Sequence, residues 1–143
     1  MKSYLIYGFK ASGKTTYGVS LAKELNLIHI DLDKEILKDY DELNIFDLYN
    51  TLQDKFREIE YKKFLNIVNN KEIMVFSLGG STLLNPKIDI NELKKQFNFI
   101  FIDTDFDIIY KRIQKQKTIY NKYSYEELKV IYNDRIGYFK ALT

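Results

Sequence analysis

The chain has 143 residues, 45% apolar and 29% charged, the balance of an ordinary globular domain, and a domain of this length buries roughly two thirds of its unfolded surface without staples. It contains no cysteine, which excludes disulfides and thiolate metal sites, and it has neither an apolar run near the ~20 residues of a spanning helix nor a signal-peptide layout, so a cytoplasmic protein with no membrane partner is expected. The net charge of +2 is too small to argue for a nucleic-acid partner, and the twelve tyrosines and ten phenylalanines follow no RNA-binding signature and are expected in the core.

Residues 3–7 (SYLIY) form a β-branched and aromatic run ending at Gly8, a buried-strand signal. From residue 14 to 25, Val19, Ala22 and Leu25 recur at helical spacing, and residues 27–31 (LIHID) read as a second strand. A short helix is expected over 34–40 and a long one over 45–68, where Phe46, Tyr49, Leu52, Phe56, Ile59, Phe64 and Ile67 recur at intervals of three to five. Residues 73–78 (IMVFSL) run as a strand into a glycine turn. A short helix (NELKKQF), a fourth strand over 98–103 and a helix over 105–116 follow. The last helix opens at Ser124, with Glu127 three residues on in a capping-box pattern, and runs to about residue 139. Apolar strands alternating with helices predict a parallel sheet covered on both faces. The expected fold is a three-layer α/β domain of about four strands spanning residues 1–143. Pro86 is the only proline, and no linker or repeat interrupts it.

The first strand runs into GFKASGKT, residues 8–15, which fits the phosphate-loop pattern G-x-x-x-x-G-K-[ST] at every required position and opens a predicted helix. Backbone N–H groups must point inward around phosphate oxygens, and the helix aims its positive end at the same anion. Ala11, Ser12, Gly13, Lys14, Thr15 and Thr16 are therefore the candidate ATP contacts. Lys14 supplies a mobile charge for the β- and γ-phosphates, and the Thr15 hydroxyl is a candidate Mg²⁺ ligand.

The second strand ends in Asp31-Leu32-Asp33. In an extended strand the two carboxylates point the same way, toward the ligand side of an open α/β sheet. One could help hold Mg²⁺ and the other accept a proton from an attacking hydroxyl. Alone, the pair reads equally as a solvated strand end or a helix cap. His29, the lone histidine, lies in the same strand and reads as packing or a local hydrogen bond.

Taken together, these features resemble the shikimate kinases, small P-loop kinases of the nucleoside-monophosphate-kinase type. Five motifs appear in order: the phosphate loop, D-x-D at 31–33, F-R-x-x-E at 56–60, an apolar strand into S-x-G-G at 77–80, and R-x-x-Y at 135–138. The resemblance implies an ATP- and Mg²⁺-dependent kinase that phosphorylates the 3-hydroxyl of shikimate, in the pathway to aromatic amino acids. It implies that Asp33 binds the acceptor hydroxyls and serves as base, and that Asp31 positions Mg²⁺ with Thr15. Arg57 and Arg135 would hold the substrate carboxylate, for which a planar guanidinium fork is well suited. Gly79 and Gly80 would let the backbone approach the ring. Monomer or weak dimer is the expected state.

The sequence departs from the family pattern in several places. Lys10 replaces an apolar residue, and Ala11 stands where a glycine is usual; alanine fits there if the local backbone angles are ordinary. Ser81 replaces the third glycine of the turn, and the Gly-Glu pair before F-R is missing around Leu52 and Gln53. The lid, about residues 112–124, has no arginine after Arg112, so Lys117 (or Lys115) is the candidate catalytic cation, as a point charge. The chain stops at Thr143, before the fifth strand and terminal helix usual in the family. That predicts a sheet edge completed by association, or weak nucleotide affinity. Two alternatives follow: a catalytically impaired nucleotide- and metabolite-binding relative, or a kinase for another carboxylated polyol such as gluconate.

Overall fold

The computed structural model describes residues 1–143. Strands β1 (Ser3–Tyr7), β2 (Ile28–Asp31), β3 (Met74–Ser77) and β4 (Phe97–Phe101) form a parallel sheet in the order β2-β3-β1-β4. Seven α-helices surround it: α1 (Lys14–Leu25), α2 (Leu32–Leu37), α3 (Ile45–Leu52), α4 (Lys55–Val68), α5 (Ile90–Gln96), α6 (Phe106–Gln114) and α7 (Tyr125–Leu142). A 3₁₀ turn at Thr82–Leu84, absent from the sequence reading, follows β3. None of the helices is long and apolar enough to cross a membrane.

Alternation along the two central strands separates the core into layers. Leu5 and Tyr7 of β1 join Met74 and Phe76 of β3, and Phe56 and Phe64 of α4, in the largest cluster. Ile6 and Val75 point the other way, onto Ala22 of α1. Both faces of the sheet are thus covered, as near-continuous apolar strands require. A further cluster gathers around Phe9, a residue of the phosphate loop, with Tyr120, Tyr132 and Ile136. Phe9 is fully buried, worth about 2–3 kcal/mol, and it ties the loop to α7 and to the segment between α6 and α7.

Local chemistry sets the element ends. Ser124 accepts from the Glu127 amide at 3.1 Å and Glu127 returns the contact to the Ser124 amide at 2.9 Å, so both halves of the expected capping box form. The helix expected over 45–68 is two helices. Gln53, at φ 50, ends α3 in a left-handed conformation, yet Leu48, Phe56 and Phe64 keep facing one core. Continuous apolar spacing therefore hides the break. The helix expected over 34–40 starts earlier, at Leu32, because Asp31 caps it, its Oδ1 accepting from the Lys34 amide at 3.1 Å.

Candidate active site

The carboxyl ends of β1, β2 and β3 point to one side of the sheet, where open α/β sheets bind their ligands. β1 delivers the loop 8–13 there. Gly13, at φ 100, turns the chain into α1 and offers no side-chain cap, which leaves the first-turn amides of α1 for an anion. Ala11 sits at φ 64. The ordinary backbone angles expected for an alanine are therefore not found, and a β-carbon in the left-handed region costs about 1–2 kcal/mol. Its carbonyl accepts from Arg112 Nη1 at 3.0 Å. Lys14 Nζ donates to the carbonyls of Gly8 (3.1 Å) and Phe9 (2.8 Å). Burial pushes its pKa down to about 8, against the attraction of Asp33. Lys10, Ala11, Gly13, Lys14, Thr15 and Thr16 line a pocket closed by Asp31, Asp33 and the Gly79–Gly80 turn. Ser12 is buried just behind it.

Thr15 donates its hydroxyl to Asp31 Oδ2 at 2.5 Å. Asp31 thus serves at once as the α2 cap and as a partner of the phosphate loop. No cluster of three or more His, Cys, Asp or Glu side chains forms a protein cage for a metal. Two hard oxygen donors at the lip of a phosphate pocket fit a Mg²⁺ shared with phosphates and water.

Asp33 requires a correction. It is not in an extended strand beside Asp31 but in the first turn of α2, so the D-x-D spacing does not align the two carboxylates along one strand face. It is the bend at Asp31, from strand into helix, that brings Asp33 to the site. Burial raises the Asp33 carboxyl above the usual carboxylate range, opposed first by the charge of Lys10.

A second pocket adjoins the first. Lys10, Asp33, Gly79 and Gly80 line both. Beyond them the second pocket is walled by Arg57, Glu60, Lys117 and the apolar side chains of Ile45, Phe46 and Phe56. Its polar side is one connected network. Arg57 Nη1 donates to Glu60 Oε1 at 3.0 Å, Thr82 donates to Glu60 Oε2 at 3.1 Å, and the Gly79 amide donates to Thr82 Oγ1 at 3.0 Å. Glu60 is buried and its carboxyl is pushed upward by that burial, with Arg57 opposing. The network accounts for the F-R-x-x-E spacing: the glutamate, one helical turn after the arginine, holds both Arg57 and the glycine turn. A β-carbon on Gly79 would stand 3.1 Å from Asp33 Oδ1 and 3.3 Å from Glu60 Oε2, so the turn must pass that close to both carboxylates.

Arg135 is not in this pocket with Arg57. It donates to the hydroxyl of Tyr120, lies 5.5 Å from that ring's centre and 5.8 Å from Phe9's, and faces a neighbouring groove. Phe46, Thr118, Ile119 and Tyr120 belong to both pocket and groove. The structure therefore gathers Asp33, Arg57, Gly79, Gly80 and Lys117, and sets Arg135 one aromatic ring away. The segment 115–124 is pinned over the pocket by Asn121, which donates to Ile113 O at 3.0 Å and accepts from the Thr118 amide at 2.5 Å. His29 has a structural place, its Nε2 2.8 Å from Ser77 Oγ. Thr82, Tyr120 and the pocket-lining role of Lys10 were missed from sequence. Only Lys10 left a signal, as a cation inside the phosphate loop.

A parallel sheet that carries a phosphate loop and its hydroxyl–carboxylate pair beside a second, cation-bearing pocket defines a P-loop phosphotransferase of the nucleoside-monophosphate-kinase type. The family model for shikimate kinase matches residues 10–142. A shikimate kinase of Caldicellulosiruptor saccharolyticus is 35% identical over 120 residues, 82% of this chain and 67% of that protein. One from Sulfurihydrogenibium sp. is 30% identical over 142 residues, 98% of this chain and 84% of its own. Among solved structures, shikimate kinase from Aquifex aeolicus superposes with a TM-score of 0.79 at 25% identity, covering 97% of this chain and 82% of that one. The Acinetobacter baumannii enzyme in complex with shikimate gives 0.85 at 18% identity, covering 100% and 80%. The chain belongs to the shikimate kinase family.

Proposed function

We propose that the protein is an ATP- and Mg²⁺-dependent kinase that transfers the γ-phosphoryl group of ATP to the 3-hydroxyl of shikimate. The observation that carries this reading is the shared wall: Asp33 and Lys10 line both the phosphate pocket and the pocket that holds Arg57. A group leaving one pocket therefore passes the same side chains that line the other.

In this mechanism the loop amides and Lys14 hold the β- and γ-phosphates. Thr15 and Asp31 would hold a Mg²⁺, which would supply positive charge against the phosphate oxygens. The shikimate ring lies against Phe46 and Phe56, and its carboxylate meets the guanidinium of Arg57, already oriented by Glu60. Arg135 reaches the same carboxylate by leaving the Tyr120 hydroxyl, across the lip that pocket and groove share. Asp33 takes the hydroxyl proton as the acceptor oxygen bonds to the γ-phosphorus. The bond from that phosphorus to the oxygen bridging it to ADP breaks, and ADP carries off the electron pair. A raised carboxyl pKa makes Asp33 a better base than an exposed aspartate. Lys117 approaches from the lid, residues 112–124, as a point charge on the phosphoryl group. These residues form one domain acting without a nucleic-acid or membrane partner.

Coupled ADP-release assays with shikimate, gluconate and no acceptor test the reading. Turnover that depends on shikimate supports it; equal rates with and without shikimate would refute it. A preference for gluconate would move the assignment to another carboxylated polyol.

A further inference from the structure

Lys10 is the one side chain on the shared wall for which the family resemblance implies no role. Its backbone is fixed there: a β-carbon on Gly80 would stand 3.0 Å from the Lys10 amide nitrogen and 3.4 Å from its Cα. Its side chain is half-buried and joins none of the molecule's ion pairs. Three carboxylates line the two pockets, Asp33 in both, Asp31 in the phosphate pocket and Glu60 in the second. The reacting phosphoryl group adds further negative charge over its equatorial oxygens. Against this, Lys14 is engaged with the loop carbonyls, Lys117 is exposed, and no arginine occurs between 112 and 135.

On the phosphotransfer reading above, we propose that Lys10 is a catalytic residue, its ammonium contacting the phosphoryl group in transit between the two pockets and stabilising its charge. It thereby supplies, from within the phosphate loop, the cation that the segment over the pocket lacks as arginine.

The test is steady-state kinetics of the full chain with MgATP and shikimate across pH, for Lys10→Met and Lys10→Arg, with Lys10→Gln standing in should the methionine variant fail to fold. The neutral variant is expected to lose about 100-fold in kcat while both KM values hold within about threefold. The arginine variant should keep most of the rate. A structural role would instead lower Tm and raise KM while leaving kcat near that of the parent. A neutral variant whose kcat stays within about threefold of the parent overturns the proposal, as does a loss confined to KM. Comparable kcat in the parent and the neutral variant sinks this inference alone, whereas a parent without shikimate-dependent turnover sinks it together with the reading it rests on.

Discussion

Asp33→Asn keeps the shape of the side chain and removes its charge, so it separates what the site needs from what the fold needs. In the folded chain the Asp33 carboxyl lies above its ordinary range because burial outweighs the combined attraction of Lys10, Lys14 and Arg57. A folded pKa above the unfolded one is a stability penalty on the charged form. The penalty is fully present above the raised folded pKa and vanishes below the unfolded one, where both states carry the proton. The attractions from the three cations are already inside that net shift, so asparagine relieves a net cost. We expect the variant to be more stable than the parent near neutral pH, within the about 0.5–2 kcal/mol usual for a single stabilising substitution. In a domain of this length that is about 2–6 °C in Tm. The advantage should shrink as pH falls toward about 4. Shikimate-dependent turnover should drop by a factor of about 10²–10⁴. Thermal denaturation at neutral and acid pH, beside the ADP-release assay, reads both effects. A variant less stable than the parent at neutral pH, or a gap that does not change with pH, would refute the electrostatic account of this residue.

Two further outcomes follow from the same geometry. Lys14, held down to about 8 by burial, loses its charge as pH rises through that value. MgATP affinity should then fall by about tenfold per pH unit above it, with proton uptake on binding seen calorimetrically in buffers of different ionisation enthalpy; flat affinity to about pH 9.5 would contradict this. Arg57→Ala leaves Glu60, only 4% exposed at its side chain, without its cation, and should cost about 1–3 kcal/mol while raising the shikimate KM. Adding Glu60→Gln should restore Tm and leave KM high; recovery of both would make Arg57 merely structural.

The site was legible where a short motif carries its own mechanism. The phosphate loop, the strand–helix alternation and the F-R-x-x-E and glycine-turn motifs all lead to the observed sheet and to Arg57, Gly79 and Gly80 of the second pocket. What failed depended on backbone geometry that residue type does not announce. Asp33 was placed on a strand because two-residue spacing is a strand signal, whereas Asp31 bends the chain into α2 by capping it. The break at Gln53 carries no glycine or proline. Ala11 occupies a left-handed position that its side chain disfavours. Arg135 was expected beside Arg57, but an aromatic ring of the intervening segment holds it apart. Such a long-range contact leaves no local pattern to read.

Following the stereochemistry at phosphorus tests the central claim most directly, using ATP made chiral at its γ-phosphorus with oxygen isotopes and shikimate as acceptor. Donor and acceptor pockets that meet at Asp33 and Lys10 allow one in-line displacement, and the product should show inverted configuration. Retention would mean two displacements through a phosphorylated enzyme group, and the shared wall would then not be the place where the phosphoryl group changes hands.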